Sequence, residues 1–192
     1  MKRRLSKRFK KLIETTKDKK PLIIDDAISM VKNNCTTKFN ESIDVSLSLN
    51  LVKKKEKFNL RTVANLPNGN GKKIRVAVLC EENRIVEAKN SGADLFDSEA
   101  LINDITTGKI NFDNLIATPA MMSKMGKLGK ILGPKGLMPN PKLGTVTNNV
   151  QSTVKALKSG QIEIKNDEDA NVGVSIGKKS FSNSKIKENF NS

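Results

Sequence analysis

Apolar and polar residues alternate from Ile43 to Leu51. Ile43, Val45, Leu47, Leu49 and Leu51 fall on one face, and Asp44, Ser46, Ser48 and Asn50 on the other. A period of two predicts a strand with one buried face, the habit of antiparallel sheets. Before it, Leu5, Phe9, Leu12 and Ile13 recur at helical spacing ahead of Pro21. Ala27, Ile28, Met30 and Val31 then predict a second helix, capped by Asp25 or Asp26 and ending near Asn33-Asn34. Lys53 to Lys57 reads as a charged turn or extension.

The pattern changes after the breaker cluster Leu66-Pro67-Asn68-Gly69-Asn70-Gly71. Ile74 to Cys80 is almost continuously apolar, which suits a strand covered on both faces. A helix from about Asn83 to Ser91, a short strand at Ala93–Phe96, a helix capped by Ser98, and an apolar strand at Asn114–Thr118 follow in turn. Alternation of strand and helix argues for a parallel βαβ unit. Val150, Val154 and Leu157 mark a helix face that stops at Gly160. Alternation returns in Ile162 and Ile164, and again in Val172, Val174 and Ile176, with a last helix starting near Ser184. The expected class is α/β. Residues 1–66 and 160–192 build a discontinuous α+β domain with an antiparallel sheet, and 67–159 form an inserted βαβ domain with a Rossmann-like parallel sheet. The crossings near Pro67 and Gly160 would form a hinge.

Residues 126–147 carry five glycines and three prolines, and no Asp or Glu occurs from Asn114 to Ile162. Five lysines lie from Lys124 to Lys142. So much glycine and proline excludes a regular helix or strand throughout. Free backbone N–H groups among cations favour a polyanion. The whole chain agrees, with a net charge of +15 from 35 Lys plus Arg against 20 Asp plus Glu. Met1 to Lys20 alone holds ten basic residues, without the apolar core of a secretory signal. No stretch approaches the roughly 20 apolar residues of a spanning helix, so no membrane partner is expected.

Histidine is absent, and Cys35 and Cys80 stand alone. Zinc sites, Cys-His nucleophiles and Ser-His-Asp triads are therefore excluded or nearly so. Both cysteines read as small buried apolar residues. With no Trp or Tyr among its residues, the chain does not bind single strands mainly by stacking. The Walker spacing Gly-x-x-x-x-Gly-Lys-Ser/Thr is missing, since Gly71-Lys72 is followed by Lys73, and no Gly-x-Gly-x-x-Gly follows the Ile74 strand. No catalytic residue, metal ligand or cofactor is expected. Lys38-Phe39-Asn40-Glu41-Ser42-Ile43-Asp44 supports two readings. On an RNA surface Lys38 would meet phosphate, Phe39 a sugar or base, and Glu41 or Ser42 a 2′-hydroxyl or base edge. Otherwise Phe39 is a core residue and the rest a solvated strand end.

Taken together, Gly126 to Thr147, Lys38 to Asp44 and Gly160-Gln-Ile-Glu-Ile-Lys-Asn-Asp167 resemble the L-one family of large-subunit ribosomal proteins. The resemblance spans nearly the whole chain and is most specific at Gly133-Pro-Lys-Gly-Leu-Met-Pro-Asn-Pro141. Ile74–Glu82 and Lys109–Met122 look most like its alphaproteobacterial and mitochondrial branch. The resemblance implies a two-domain, non-enzymatic protein that acts as a monomer within the ribosome. It implies binding to the large-subunit rRNA stalk beside the exit site, with assistance to departing deacylated tRNA. The alternative it carries is translational repression through the protein's own mRNA. The implied compartment is the bacterial cytoplasm or the mitochondrial matrix. The implied RNA surface comprises Lys38, Phe39, Glu41, Ser42, Asp44, Glu163, Lys165 and Asn166, with Lys127, Lys130 and Lys135 auxiliary. The family pattern continues past the last helix into a strand with a Ser-Thr-Met-Gly segment. This sequence ends at Ser192, so one strand and its RNA contacts are expected to be missing.

Overall fold

The computed structural model describes residues 5–17, 20–49 and 59–192. Leu51 of the expected first strand and the charged stretch at Lys53–Lys57 lie outside the described residues, as does part of the basic N-terminal run.

Helix α1 (Lys7–Thr16) starts where the Ser6 hydroxyl accepts the Phe9 N–H, and none of its residues is buried. Helix α2 (Ile24–Asn34) begins earlier than its acidic pair suggests. Ile23 occupies the cap without a side-chain bond, and Asp25 and Asp26 sit in the first turn. There the partial positive charge of the helix end favours them even though they cap nothing. Strand β1 (Ser42–Ser48) follows the predicted alternation, with Ile43 buried and Ser42, Asp44, Ser46 and Ser48 exposed. Its apolar face runs out before its end, and Leu47 is exposed. Strand β2 (Arg61–Asn65) completes the entering half.

Next comes the parallel sheet. Strands β3 (Val76–Leu79), β4 (Leu95–Asp97) and β5 (Asn114–Ala117) lie in the order β4-β3-β5, all parallel. The crossovers are made by helices α3 (Ile85–Asn90) and α4 (Glu99–Thr106). Ser98 stands at the α4 cap position, but its side chain makes no capping bond. Instead its N–H is taken by the Asp97 carboxylate at 2.6 Å. Central strand β3 is wholly buried, as its unbroken apolar run requires. Its residues alternate between two cores. Ala77 and Leu79 meet Leu101, Ile105 and Leu115 on one side. Val76, Val78 and Cys80 meet Ala88, Ile116 and Val154 on the other.

The glycine- and proline-rich segment is less open than its composition suggests. It continues α5 (Met122–Met125), which leads into it, as short helical turns that include α6 (Gly129–Leu132). Leu128 and Leu132 of this stretch, with Met121 and Met125 just before it, belong to the first core. Their spacing is that of one helix face. Helix α7 (Val150–Ser159) covers the second core with Val150, Val154 and Leu157, as the periodicity predicts.

The chain returns through Gly160, at φ +115°, where a Cβ would stand 2.7 Å from both Gly69 Cα and Leu66 O. Strand β6 (Gln161–Lys165) pairs antiparallel with β2, and β7 (Asn171–Lys178) antiparallel with β1. Helix α8 (Asn183–Asn191) is capped by the Ser182 hydroxyl on Lys185 N–H. The cluster beneath β1 and β7 is small: Ile28, Ile43, Ile176 and Ile186.

Candidate nucleic-acid interface

Strand pairing decides which polar residues can act together. In the β1–β7 ladder Ser42 faces Lys178, Asp44 faces Ser175, and Ser46 faces Gly173. A register shift between Ile43 and Asp44 leaves Ile176 as the extra residue of a bulge. The exposed face of the ladder is therefore a polar strip. The Lys178 ammonium donates to Ser42 Oγ at 2.7 Å within it.

Lys38 and Phe39 stand at one end of this strip, and Phe39 is 69 % exposed. Its mount is tied in place. Asn40 exchanges two hydrogen bonds with Ser180, at 2.9 and 3.2 Å, and Lys179 N–H donates to Glu41 O at 2.9 Å. The core reading of Phe39 is overturned here, because the ring faces water. Glu41 is committed to the fold: Arg8 of α1 donates to its Oε1 at 2.9 Å. The Cys35 thiol, the Thr37 hydroxyl and then the Arg8 guanidinium hold its carboxyl below the usual range. The Cys35 thiol itself is pushed up, first by burial.

The second group lies elsewhere along the strip. Lys165 and Asn166 sit at the far end of β6, beside the turn whose Ala170 O accepts Leu49 N–H at 2.9 Å. With seven residues in β1, the two ends are separated by about 20 Å at ~3.4 Å per residue. Glu163 lies between them, accepting Arg61 Nε at 2.7 Å. It shares a cleft of about 310 Å³ with Gly173 and Ser175, and Lys72, Asp113 and Thr145 of the parallel region line the other side. Asn166 is occupied, its Oδ1 accepting Leu60 N–H at 2.5 Å and its Nδ2 donating to Asp167 O at 2.7 Å. Arg61 lies directly opposite Lys165, and Glu163 relieves part of that like-charge pair.

The site is thus an elongated polar and cationic strip. The candidates fall into two sets. Lys38, Phe39, Ser42, Asp44, Glu163 and Lys165 are exposed, while Glu41 and Asn166 chiefly hold their neighbours. Sequence reasoning missed Lys178, Ser175 and Arg61. An unbroken period of Val172, Val174 and Ile176 would put Lys178 on the apolar face, and the bulge at Ile176 turns it to the polar one, while Arg61 gains its place only through pairing with β6. Lys127, Lys130 and Lys135 are all exposed, on the solvent side of turns whose apolar residues are core. Among the described residues, no group of three His, Cys, Asp or Glu could hold a metal ion. No helix among them is long and apolar enough to cross a membrane.

Residues 31–192 match the model of the Ribosomal protein L1p/L10e family. The chain is 55 % identical over 185 residues to a Large ribosomal subunit protein uL1 of Pelagibacter ubique, covering 96 % of this chain and 81 % of that one. It is 48 % identical to a Large ribosomal subunit protein uL1c of Phaeodactylum tricornutum, with 97 % and 81 % covered. A Large ribosomal subunit protein uL1 of Kosmotoga olearia is 45 % identical, with 96 % and 80 % covered. A match that runs through the strip, the antiparallel and parallel sheets and the glycine- and proline-rich turns leaves one conclusion: the chain belongs to the Ribosomal protein L1p/L10e family.

Proposed function

We propose that the chain is a structural, non-catalytic component of the large ribosomal subunit that binds large-subunit rRNA along the exposed face of β1 and β7. The observation that carries this reading is Phe39. A phenyl ring left 69 % exposed forgoes the stabilisation of burial. Held on a rigid mount beside Lys38, it is offered to a sugar or base while the ammonium takes a phosphate. The rest of the strip supplies hydroxyls, carboxylates and amides along about 20 Å, a length that suits a folded nucleic acid rather than a small ligand. The names of the relatives supply the partner, and the 55 % identity to the Pelagibacter protein supports a ribosome of bacterial type. Such ribosomes work in the bacterial cytoplasm or the mitochondrial matrix.

In this reading the RNA is the stalk beside the tRNA exit site. Residues 67–159 form a domain that rocks on the crossings near Pro67 and Gly160. Lys127, Lys130 and Lys135 add phosphate contacts, departing tRNA included. Phe39→Ala tests the reading directly. Binding to a stalk fragment of large-subunit rRNA should weaken by ~1–3 kcal/mol, the range for one stacked base. The unfolding midpoint should stay put, because the ring supports no core. Undiminished binding would remove Phe39 from the interface.

A further inference from the structure

Asn189 is 3 % exposed in α8, yet a packing role at this helix is already filled by Ile186, at 0 %. Its amide is fully used. Oδ1 accepts Asn68 N–H at 3.0 Å, and Nδ2 donates to Gly69 O at 2.7 Å and to Ile176 O at 2.8 Å. The last acceptor exists because Ile176 is the bulged residue of β7, opposite no residue of β1. A bulge releases a carbonyl from the ladder, and here the released carbonyl is taken by the helix.

The other two partners belong to the first crossing between the antiparallel and parallel regions. That crossing is fastened along its length. Asn68 Nδ2 returns to α8 through Glu188 Oε2 at 2.7 Å. Leu66 N–H meets Gly160 O at 3.1 Å, so the first crossing also rests on the second. At Gly71, φ +74°, a Cβ would stand 2.7 Å from Lys178 Cγ. Immediately afterwards the allegiance changes, since Lys72 pairs with Asp113 of the parallel region at 2.7 Å. The chain is therefore bound to one body up to Gly71 and to the other from Lys72.

We propose that Asn189 is the latch of the interdomain hinge: it clamps the Asn68–Gly69 crossing to the bulge in β7, confining the bend to the Gly71–Lys72 junction and Gly160. This rests on the two-domain reading of the proposed function. The bulge flanks Ser175, which faces Asp44 on the strip, so RNA seated there bears on the element that the latch grips. A buried amide with every group satisfied specifies one arrangement. Stripped of it, the crossing keeps two unpaired groups and loses its fixed seat.

The test uses Asn189→Leu, which keeps the branched outline of the side chain and removes all three bonds, alongside the wild type. Spin labels sit at Asn33→Cys and Asn103→Cys in a chain with Cys35→Ala and Cys80→Ala. Asn189→Leu should broaden the distance distribution of the free protein. Its Asn68 amide should exchange at least about tenfold faster, the loss expected for one net hydrogen bond, with the β3 and β5 amides unchanged. The wild type supplies a check that needs no variant: its Asn68 amide should exchange as slowly as those of β7. A wild-type Asn68 amide that exchanges like an open turn overturns the latch, and so does a distribution in Asn189→Leu no wider than wild type. If the wild-type distribution fails to respond to stalk RNA while Asn189→Leu still broadens it, the latch stands and the RNA-driven motion falls.

Discussion

In the parallel region every residue of β3 is at 0 % exposure, and two apolar clusters close on it from both faces. In the antiparallel region the described cluster is four isoleucines, and Phe9, Ile23, Phe39 and Leu47 stay exposed. The difference follows from what each sheet must leave free. On the proposed function the antiparallel sheet offers one face to RNA, which leaves only the other face for a core. The remaining order comes from polar ties: Lys32 to Phe181 O and Asn183, Asn40 to Ser180, and Asn189 to the crossing. Each tie contributes about 1 kcal/mol net, less than a buried leucine or isoleucine. The antiparallel region should therefore open first in hydrogen exchange, with the parallel region opening last.

The sharpest way to break this contrast is at Leu132, at 0 % exposure within the glycine- and proline-rich segment. Leu132→Ala should cost ~2–5 kcal/mol in chemical denaturation, as a cavity in a closed core does. A cost below about 1 kcal/mol would return this segment to the status of a loop and shrink the parallel core. Gly160→Ala comes next. The positive φ alone costs a side chain about 1–2 kcal/mol, and the 2.7 Å approaches to Gly69 and Leu66 add to it. The damage should appear in the exchange of Leu66 and Gly69 amides rather than in the parallel core. Gly126→Ala is the control. Its φ of −53° is helical and nothing stands within 4 Å of the added carbon. It should be neutral or stabilise by up to ~1 kcal/mol.

The same turns carry cations on their other side. Changing Lys127, Lys130 and Lys135 together to Ala should leave the melting temperature alone and flatten the salt dependence of rRNA binding. Removing one lysine–phosphate pair lowers the slope by up to roughly 0.9 for a duplex. Base preference should not change, because phosphate contacts position without reading sequence. An unchanged slope would make the segment a purely structural element of the parallel region.

Much of this architecture is legible in the sequence. The alternation at Ile43–Leu47, the closed run at β3 and the α7 face each depend on neighbours in the chain, and periodicity reports neighbours. Three features are not legible there. Met121, Met125, Leu128 and Leu132 do have helical spacing, but Gly126, Gly129 and Gly133 suggest a loop, and packing overrode their low propensity. The bulge at Ile176 hides Lys178, since a one-residue insertion turns the rest of the strand to the opposite face. Asn189 resembles a polar residue on a solvated helix, because the partners that bury it, Asn68 and Gly69, lie far back in the chain. Within the strip, the residue types at Phe39 and Glu41 signal a site. Only the fold shows that Phe39 is offered outward while Glu41 is spent on Arg8.

The smallest effect is one of pH, at the edge of the parallel region. Asp113 takes the Lys72 ammonium at 2.7 Å and the Arg75 N–H at 3.0 Å. Lys72 first, and then that N–H, hold its carboxyl below the usual aspartate range. Asp94 is likewise held low, first by the Val76 N–H and then by Lys158. Both carboxylates secure the entry to β3. A carboxyl with a folded value below its unfolded one contributes stability above the unfolded value, near ~3.9. That contribution is lost as the pH falls from there through the folded value. Acid should thus loosen the edge of the parallel region at Arg75–Val76 while its apolar core holds. Asp113→Asn should reduce the urea midpoint at pH 7 by less than the equivalent of ~1 kcal/mol, the worth of an exposed pair. It should also flatten the acid limb below about pH 4, where wild type and variant converge. Salt at about 1 M should shrink the pH 7 difference, because exposed charges are screened over about 3 Å. If the variant's acid limb runs parallel to that of wild type, Asp113 does not fasten β3, and the acid sensitivity of this region rests on Asp94 alone.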